Sequence, residues 1–190
     1  EAVKTTHAIA KKSSARMKEL SEGLLEFAVI EKQAMKTLPT DLNDVVNDVK
    51  DLLFKQVTET IATITFDPLP TIHCDRNAIM RVFMNLISNS IKFKKPGVSP
   101  VIHISSQVEA NRDIIVSVSD NGLGIDTKYA ERVFQPLERL HSRDEIDGAG
   151  LGLAICERII KLHGGTIRID LSYVAGTRFD IAFPSSALVP

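Results

Sequence analysis

The stretch RVFMNLISNSIKF, Arg81 to Phe93, decides how the rest of the chain is read. Asn85 and Asn89 stand four apart, with Arg81 a turn before them and Lys92 three residues after, so on a helix these groups share a face. Val82, Phe83, Leu86, Ile87 and Ile91 supply apolar sides that bury the same helix. Polar side chains on so apolar an element must find partners. Asparagine carbonyl oxygens are hard neutral ligands suited to Mg2+, an ion that keeps waters and substrate phosphates as its other ligands. Lys92 can answer phosphate charge. Standing alone, the segment fits a solvated polar stripe equally well.

Two glycine segments further on separate those readings. DNGLGID, Asp120 to Asp126, follows an alternating strand directly. A carboxylate there can accept a hydrogen bond from an exocyclic amine such as that of adenine. Gly122 and Gly124 let the backbone approach a flat ring with no Cβ in the way. In GAGLGLAI, Gly148 to Ile155, three glycines (Gly148, Gly150 and Gly152) come just before a helix, where free N–H groups can hold phosphates. This loop is no Rossmann fingerprint, because Leu153 stands where the third glycine is needed, and no P-loop, because GK[ST] does not follow. A helix of hydrogen-bonding side chains and two glycine loops can enclose a nucleotide. The reaction class they suggest is phosphoryl transfer from ATP.

Bulk properties narrow the field. The formal net charge is -1 and no basic stripe with interleaved aromatics appears, which argues against nucleic acid as a partner. Cys74 and Cys156 have no spacing partner, so disulfide and cysteine-metal readings fail and a reducing cytoplasm fits. No apolar run approaches the ~20 residues that cross a bilayer, and no signal peptide opens the chain, so this segment is expected to make no membrane contact. The chain begins at Glu1, and the expectation is a piece of a longer parent, soluble or membrane-anchored.

Residues 1 to 36 contain no proline and a single glycine, Gly23. Val3, Thr6, Ala10, Ser13, Met17, Leu20, Leu24, Phe27, Ala34 and Leu38 form a coiled-coil seam interrupted by Glu31; the alternative is an amphipathic helix on the chain's own core. Pro39 ends it, and Thr40 with Asp41 offers an N-cap for a helix from Leu42 to Phe54. Ile61, Thr63 and Thr65 then alternate as a strand, and DPLP at 67–70 turns the chain into Thr71 to His73. Asp75 caps a helix from Arg76 to about Phe93, followed by strands Val101 to Val108 and Asp113 to Ser119 around a hairpin at Glu109 to Arg112. A short helix over Lys128 to Phe134, a polar stretch from Gln135 to Ala149, a helix from Leu151 to His163 and strands Thr166 to Leu171 and Thr177 to Phe183 complete the reading. Roughly five strands and three helices, with the helices on one side, predict a two-layer α/β sandwich behind the long coiled-coil-like helix.

From about Asp41 to Pro184 the order and spacing of these segments resemble the ATP-binding domain of the GHKL superfamily, the Bergerat fold, and within it the sensor histidine kinases. Arg81 to Phe93 looks like the N box, Asp120 to Ile125 the first glycine box, Phe134 to Arg139 the F box and Gly148 to Leu153 the second glycine box. The resemblance implies ATP and Mg2+ as cofactors. It implies that Asp120 reads adenine beside Gly122 and Gly124, with Thr177 of the Gly176-Thr177 corner in support. Asn85 and Asn89 would hold Mg2+ and phosphates, Lys92 and Arg139 would lie near the triphosphate, and Gly148, Gly150, Leu151 and Gly152 would line it. Residues 135–149 would form a mobile lid. Hydrolytic relatives usually carry a glutamate where Asn85 stands; an amide cannot act as that general base, so a kinase is implied over an ATPase.

MKELSEGLLEFAVI, Met17 to Ile30, followed by Glu31-Lys32, looks like the second helix of the histidine kinases' dimerisation hairpin. That divides the chain into residues 1–38, this helix, and residues 39–190, the catalytic domain. A phosphoacceptor commonly sits within HExxxP, and none of His7, His73, His103, His141 or His163 has that context, so the first helix with its acceptor is missing. FDPLPTI at 66–72, NLISNSIKF at 85–93 and LERLHSR at 137–143 are similar to phytochrome-type kinases, with Ser90 in place of the commoner alanine and Leu137 in place of the second F-box phenylalanine. The implied activity is γ-phosphoryl transfer to a histidine on a separate helix. The implied partners are a second copy, through the leading helix, and a response regulator. Two competing readings are a non-catalytic nucleotide-binding module that regulates a dimer or partner and, more remotely, a serine kinase of the anti-sigma type.

Overall fold

The computed structural model describes residues 35–109, 113–139 and 149–189, together with residues 14, 17, 18, 20, 21, 23–25 and 27–29, which are helical. The seam positions Val3, Thr6, Ala10, Ser13 and Ala34, and also His7, His141 and Gly148, lie outside the described residues.

Strand β1 is Leu38–Asp41, and Asp41 also caps helix α1, Leu42–Leu52, its carboxylate accepting from Asn43 N at 2.7 Å. The buried residues of α1 are Leu42, Val45, Val46 and Val49, the one-sided stripe of a helix that lies on a core. Helix α2, Phe54–Thr60, follows after a break at Leu53, and β2 is Thr63–Phe66. Strand β3, Thr71–Cys74, pairs antiparallel with β1. Asp75 caps α3, Arg76–Lys92, through Ala78 N at 3.1 Å. Strands β4, Val101–Val108, and β5, Ile114–Asp120, precede two 3-10 turns; α4, Gly152–Leu162, β6, Thr166–Ile169, and β7, Arg178–Phe183, complete the order.

The main sheet runs β2-β4-β5-β7-β6, parallel only between β2 and β4. Its register puts Val118 beside Ile104 and Phe179, and Val116 beside Ile181, so one face is an apolar surface on which the helices pack. The opposite face carries Thr65, His103, Ser105, Ser117, Arg168 and Asp180, where Ser117 Oγ donates to Asp180 at 2.7 Å and the Arg178 guanidinium bridges both. The result is a two-layer α/β sandwich. Because Asp120 shares parity with Val118 and Val116, its carboxylate enters the helix layer rather than the open polar face.

Several expected boundaries move, each for a local reason. Ile61 read as the start of a strand, but it ends a helix: Thr58 Oγ1 donates to Phe54 O at 2.8 Å and Thr60 Oγ1 to Gln56 O at 2.6 Å, so the threonines before it back-bond into α2. Leu38 leaves the seam and pairs with Cys74 in β1. The helix expected over Lys128 to Phe134 is a pair of 3-10 turns, Thr127–Tyr129 and Arg132–Phe134.

Ile61 ends α2 in the left-handed region at φ 54° with its side chain 75% exposed. A glycine there would shed a penalty of about 1–2 kcal/mol and return part of it in unfolded-chain entropy. Ile61→Gly is therefore expected to stabilise the fold by about 0.5–1 kcal/mol, read as a higher urea midpoint at unchanged slope.

Candidate functional site

Asp120 ends β5 and is only 6% exposed. Its Oδ1 accepts from Gly122 N at 2.8 Å and Thr177 N at 2.9 Å; its Oδ2 accepts from the Ser90 hydroxyl at 2.8 Å. Asp120 N donates in turn to Thr177 O at 2.8 Å, so the two loops are stitched in both directions. A carboxylate has about four lone-pair sites, and among the described residues three donors fill all but one. The remaining site, on Oδ2, can take a single N–H donor.

The loops around Asp120 touch backbone to backbone. A Cβ on Gly176 would stand 2.2 Å from Asp120 O and 2.6 Å from Gly122 N, and one on Gly122 would stand 2.7 Å from Phe93 O. Gly124 lies against Gly176 O in the same way. Leu123 N donates to Phe93 O at 3.0 Å, and Lys95 Nζ donates to Ala175 O at 2.8 Å, which ties the end of α3 to the corner before Thr177. Asp120, Gly122, Gly124 and Thr177 thus form one rigid floor.

The second half of the site is the junction of α3 and α4. Asn85 Nδ2 donates to Gly152 O at 3.4 Å, and its side chain lies by the Cys156 thiol, which donates to Val82 O at 3.9 Å. Asn85 therefore joins α3 to the first turn of α4. Asn89, half-buried, lies one turn on. Leu151, the residue at the N-cap of α4, provides no side-chain cap, which leaves the first-turn N–H groups of that helix without a capping side chain. Gly150 takes φ 73°, and a Cβ there would stand 2.8 Å from Glu138 O. Leu137 N donates to Gly150 O at 2.8 Å, and Arg139 packs its stem beside the same glycine. Lys92 places its ammonium 5.2 Å from the centre of the Phe93 ring. Among the described residues no group of three or more His, Cys, Asp or Glu side chains is placed to hold a metal ion. Among the described residues, the groups on this face of α3 suited to a hard cation are the amide oxygens of Asn85 and Asn89.

Two residues escape the motif reading. Ser90 looked like a mere departure, and only the fold reveals that its hydroxyl meets Asp120 from 30 residues away. Gly23 had a visible signal: a lone glycine inside a proline-free helix costs about 1 kcal/mol and calls for a reason. A Cβ there would meet Leu151 Cδ1 at 2.6 Å, so Gly23 is where the leading helix touches the second glycine loop. Phe27 packs on the core, whereas Met17 is 67% and Leu24 47% exposed.

Of the histidines, His163 joins helix ends, Nε2 accepting from Asp75 N at 3.0 Å and Nδ1 lying 2.8 Å from Ile159 O. His103 lies between Thr65 and Asp67 on the open sheet face. Burial pushes the Cys156 thiol up to about 12, against the pull of the Asn85 side chain beside it, and pushes Cys74 up to about 11. Both thiols are expected to resist iodoacetamide at pH 8 in the folded protein and to react in denaturant, counted by mass. Rapid labelling of Cys156 in the native state would contradict the packing of Asn85 against it.

Comparison with known proteins agrees with this fold. Residues 74–187 match the family of histidine kinase-, DNA gyrase B- and HSP90-like ATPases, and the chain belongs to that family. Its relatives are sensor histidine kinases, phytochromes among them. It is 36% identical over 168 residues to cyanobacterial phytochrome A from Nostoc sp., covering 88% of this chain and 22% of the phytochrome. It is 32% identical over 149 residues to the adaptive-response sensory kinase SasA from Synechocystis sp., covering 77% of this chain and 38% of that kinase. The chain thus spans about a fifth of the phytochrome it matches, at 22%. Among solved structures, the nucleotide-free catalytic domain of histidine kinase ThkA superposes with a TM-score of 0.67 at 27% identity, over 80% of this chain and 97% of that one. Full-length ShkA in complex with AMPPNP shares the fold, with a TM-score of 0.77 at 23% identity over 98% of this chain and 39% of that one.

Proposed function

We propose that residues 39–190 bind Mg-ATP and transfer its γ-phosphoryl group to a histidine on a dimerisation helix, as the catalytic part of a two-component sensor kinase. The observation that carries this is the buried Asp120 carboxylate, held by three protein donors with one lone pair left for an exocyclic amine. In this reading Asp120 takes the adenine amine, Gly122 and Gly124 let the ring lie against backbone, and Thr177 fixes the carboxylate through its N–H. The first turn of α4, from Gly150, Leu151 and Gly152, faces the phosphates, with Gly148 on the same loop. Asn85 and Asn89 would hold the magnesium, which supplies charge neutralisation; two neutral amides near an uncapped helix start suit an ion that shares phosphate oxygens. Lys92 and Arg139 add positive charge toward the triphosphate. Catalysis then consists of positioning and electrostatics. The amide at Asn85, tied to Gly152, cannot take a proton from water, which favours transfer over hydrolysis.

Residues 1–38 are read as the second helix of the dimerisation hairpin, through which two copies pair and present the acceptor. A cytoplasmic response regulator then receives the phosphoryl group. ThkA has been solved in complex with the response regulator TrrA, and that neighbour shares the fold of this chain with a TM-score of 0.73 at 24% identity, over 97% of this chain and 52% of that one. The expected result is that this chain binds ATP yet acquires no phosphohistidine alone, because none of its histidines has an acceptor's neighbours. Adding the parent's upstream helix, joined or in trans, should yield acid-labile phosphate on that helix. Acid-labile phosphate on His7 or His141 of the isolated chain would overturn the assignment. Nucleotide binding without transfer to the restored helix would favour a nucleotide-sensing module.

A further inference from the structure

Ser90 lies on α3, 3% exposed, with its hydroxyl 2.8 Å from Asp120 Oδ2 and 3.1 Å from Leu86 O. A hydroxyl has one proton to give. Leu86 O already accepts the helical N–H of residue 90, whereas an ionised Oδ2 offers a shorter, charge-assisted bond. The proton therefore goes to Asp120. Oδ1 is sealed by two backbone N–H groups, so every remaining degree of freedom in that carboxylate concerns Oδ2. Without the hydroxyl, Oδ2 would have two open lone pairs and no protein group to orient it.

Resting on the nucleotide reading above, we propose that Ser90 is a specificity-determining positioning residue: it fixes Asp120 Oδ2 as a single oriented acceptor and so sharpens the preference for a 6-amino purine beyond what the alanine commoner at this position would give. The effect is confined to the base. A ligand that offers one N–H at this point gains the bond, and a purine lacking the amine gains nothing from it. A base edge that presents two adjacent donors, as guanine does, finds only one open lone pair and cannot chelate the carboxylate. The Ser90 hydroxyl bonds Asp120 and Leu86 O, whereas Asn89, its neighbour in sequence, projects about 100° away around α3 on the face it shares with Asn85.

The test compares ADP with its 6-deamino analogue, purine riboside diphosphate, by calorimetry on the whole chain. Ser90→Ala keeps the size and helix propensity of the site, so it should fold normally. It is expected to weaken ADP by about 5- to 10-fold, the net worth of one ordinary hydrogen bond, and to leave the analogue unchanged, so the ratio between the two ligands falls by the same factor. Equal weakening of both ligands would mark a structural role and overturn the proposal, as would an unchanged affinity for ADP. The site reading is checked separately: if the parent binds no ADP, or if Asp120→Asn binds ADP like the parent, the adenine assignment itself fails and the role of Ser90 falls with it.

Discussion

Asp120→Asn is expected to abolish the thermal stabilisation that Mg-ADP gives the parent chain while leaving the apo fold nearly as stable. With nucleotide ~100-fold above its dissociation constant, linkage supplies about 2.7 kcal/mol to the parent, or about 5–10 °C for a chain of this size. The amide can preserve the fold. Its oxygen takes the place of Oδ1 and still accepts from Gly122 and Thr177, and Ser90 turns its proton to Leu86 O, 3.1 Å away, and accepts from the new NH2. The second N–H of that NH2 then points where the adenine amine must come. Donor meets donor, and the single open acceptor of the site is gone. Differential scanning fluorimetry of parent and variant, with and without Mg-ADP, decides it: equal nucleotide shifts in the two would contradict the adenine assignment.

Gly176→Ala is expected to damage both stability and binding. The added Cβ would lie 2.2 Å from Asp120 O, 2.6 Å from Gly122 N and 2.7 Å from Asp120 Oδ1. Two of these are backbone atoms, and the third is a carboxylate oxygen held by two backbone N–H groups, so none can step aside as a flexible side chain would. Overpacking of this kind costs typically 1–3 kcal/mol and sometimes more, and here it also parts the floor from the Thr177 N–H that orients Asp120. Gly97 supplies the control. It takes φ 72° with nothing within 4 Å of its Cβ position, so Gly97→Ala bears only the conformational penalty of about 1 kcal/mol. Urea unfolding and Mg-ADP titration of both variants separate the two effects. If Gly176→Ala behaves like Gly97→Ala and keeps its nucleotide response, the two loops are not in backbone contact.

Much of this was legible before any coordinates, because local chemistry wrote it. Asp41 and Asp75 announced two helix starts, and the stripe from Val82 to Ile91 announced a helix buried along one side. The alternation of β4 and β5 announced an antiparallel pair, whose partners run from Ile102–Asp120 to Val108–Ile114. Illegible stretches were those where side-chain back-bonding or long-range pairing outweighs local propensity. The threonines of α2 back-bond to carbonyls four residues earlier, and β1 exists only because β3, with partners 30 or more residues away, pairs with it.

The site divides in the same way. Residue types and spacing alone pointed to the groups proposed to meet a nucleotide: amides one turn apart on a helix, a carboxylate at a strand end, and glycines before a helix. These follow from helix and strand periods and from the absence of a Cβ, and both are properties of the chain itself. Only the tertiary structure decided how many acceptors Asp120 has left, because that number depends on Ser90 and Thr177, which lie 30 residues before it and 57 residues after it. It likewise decided that Asn85 bonds to Gly152 across the helix junction, and that Gly23 faces Leu151. A pattern along the sequence fixes which face a side chain occupies. What that side chain touches across the fold is set by the packing of distant segments, on which short-range spacing has no hold.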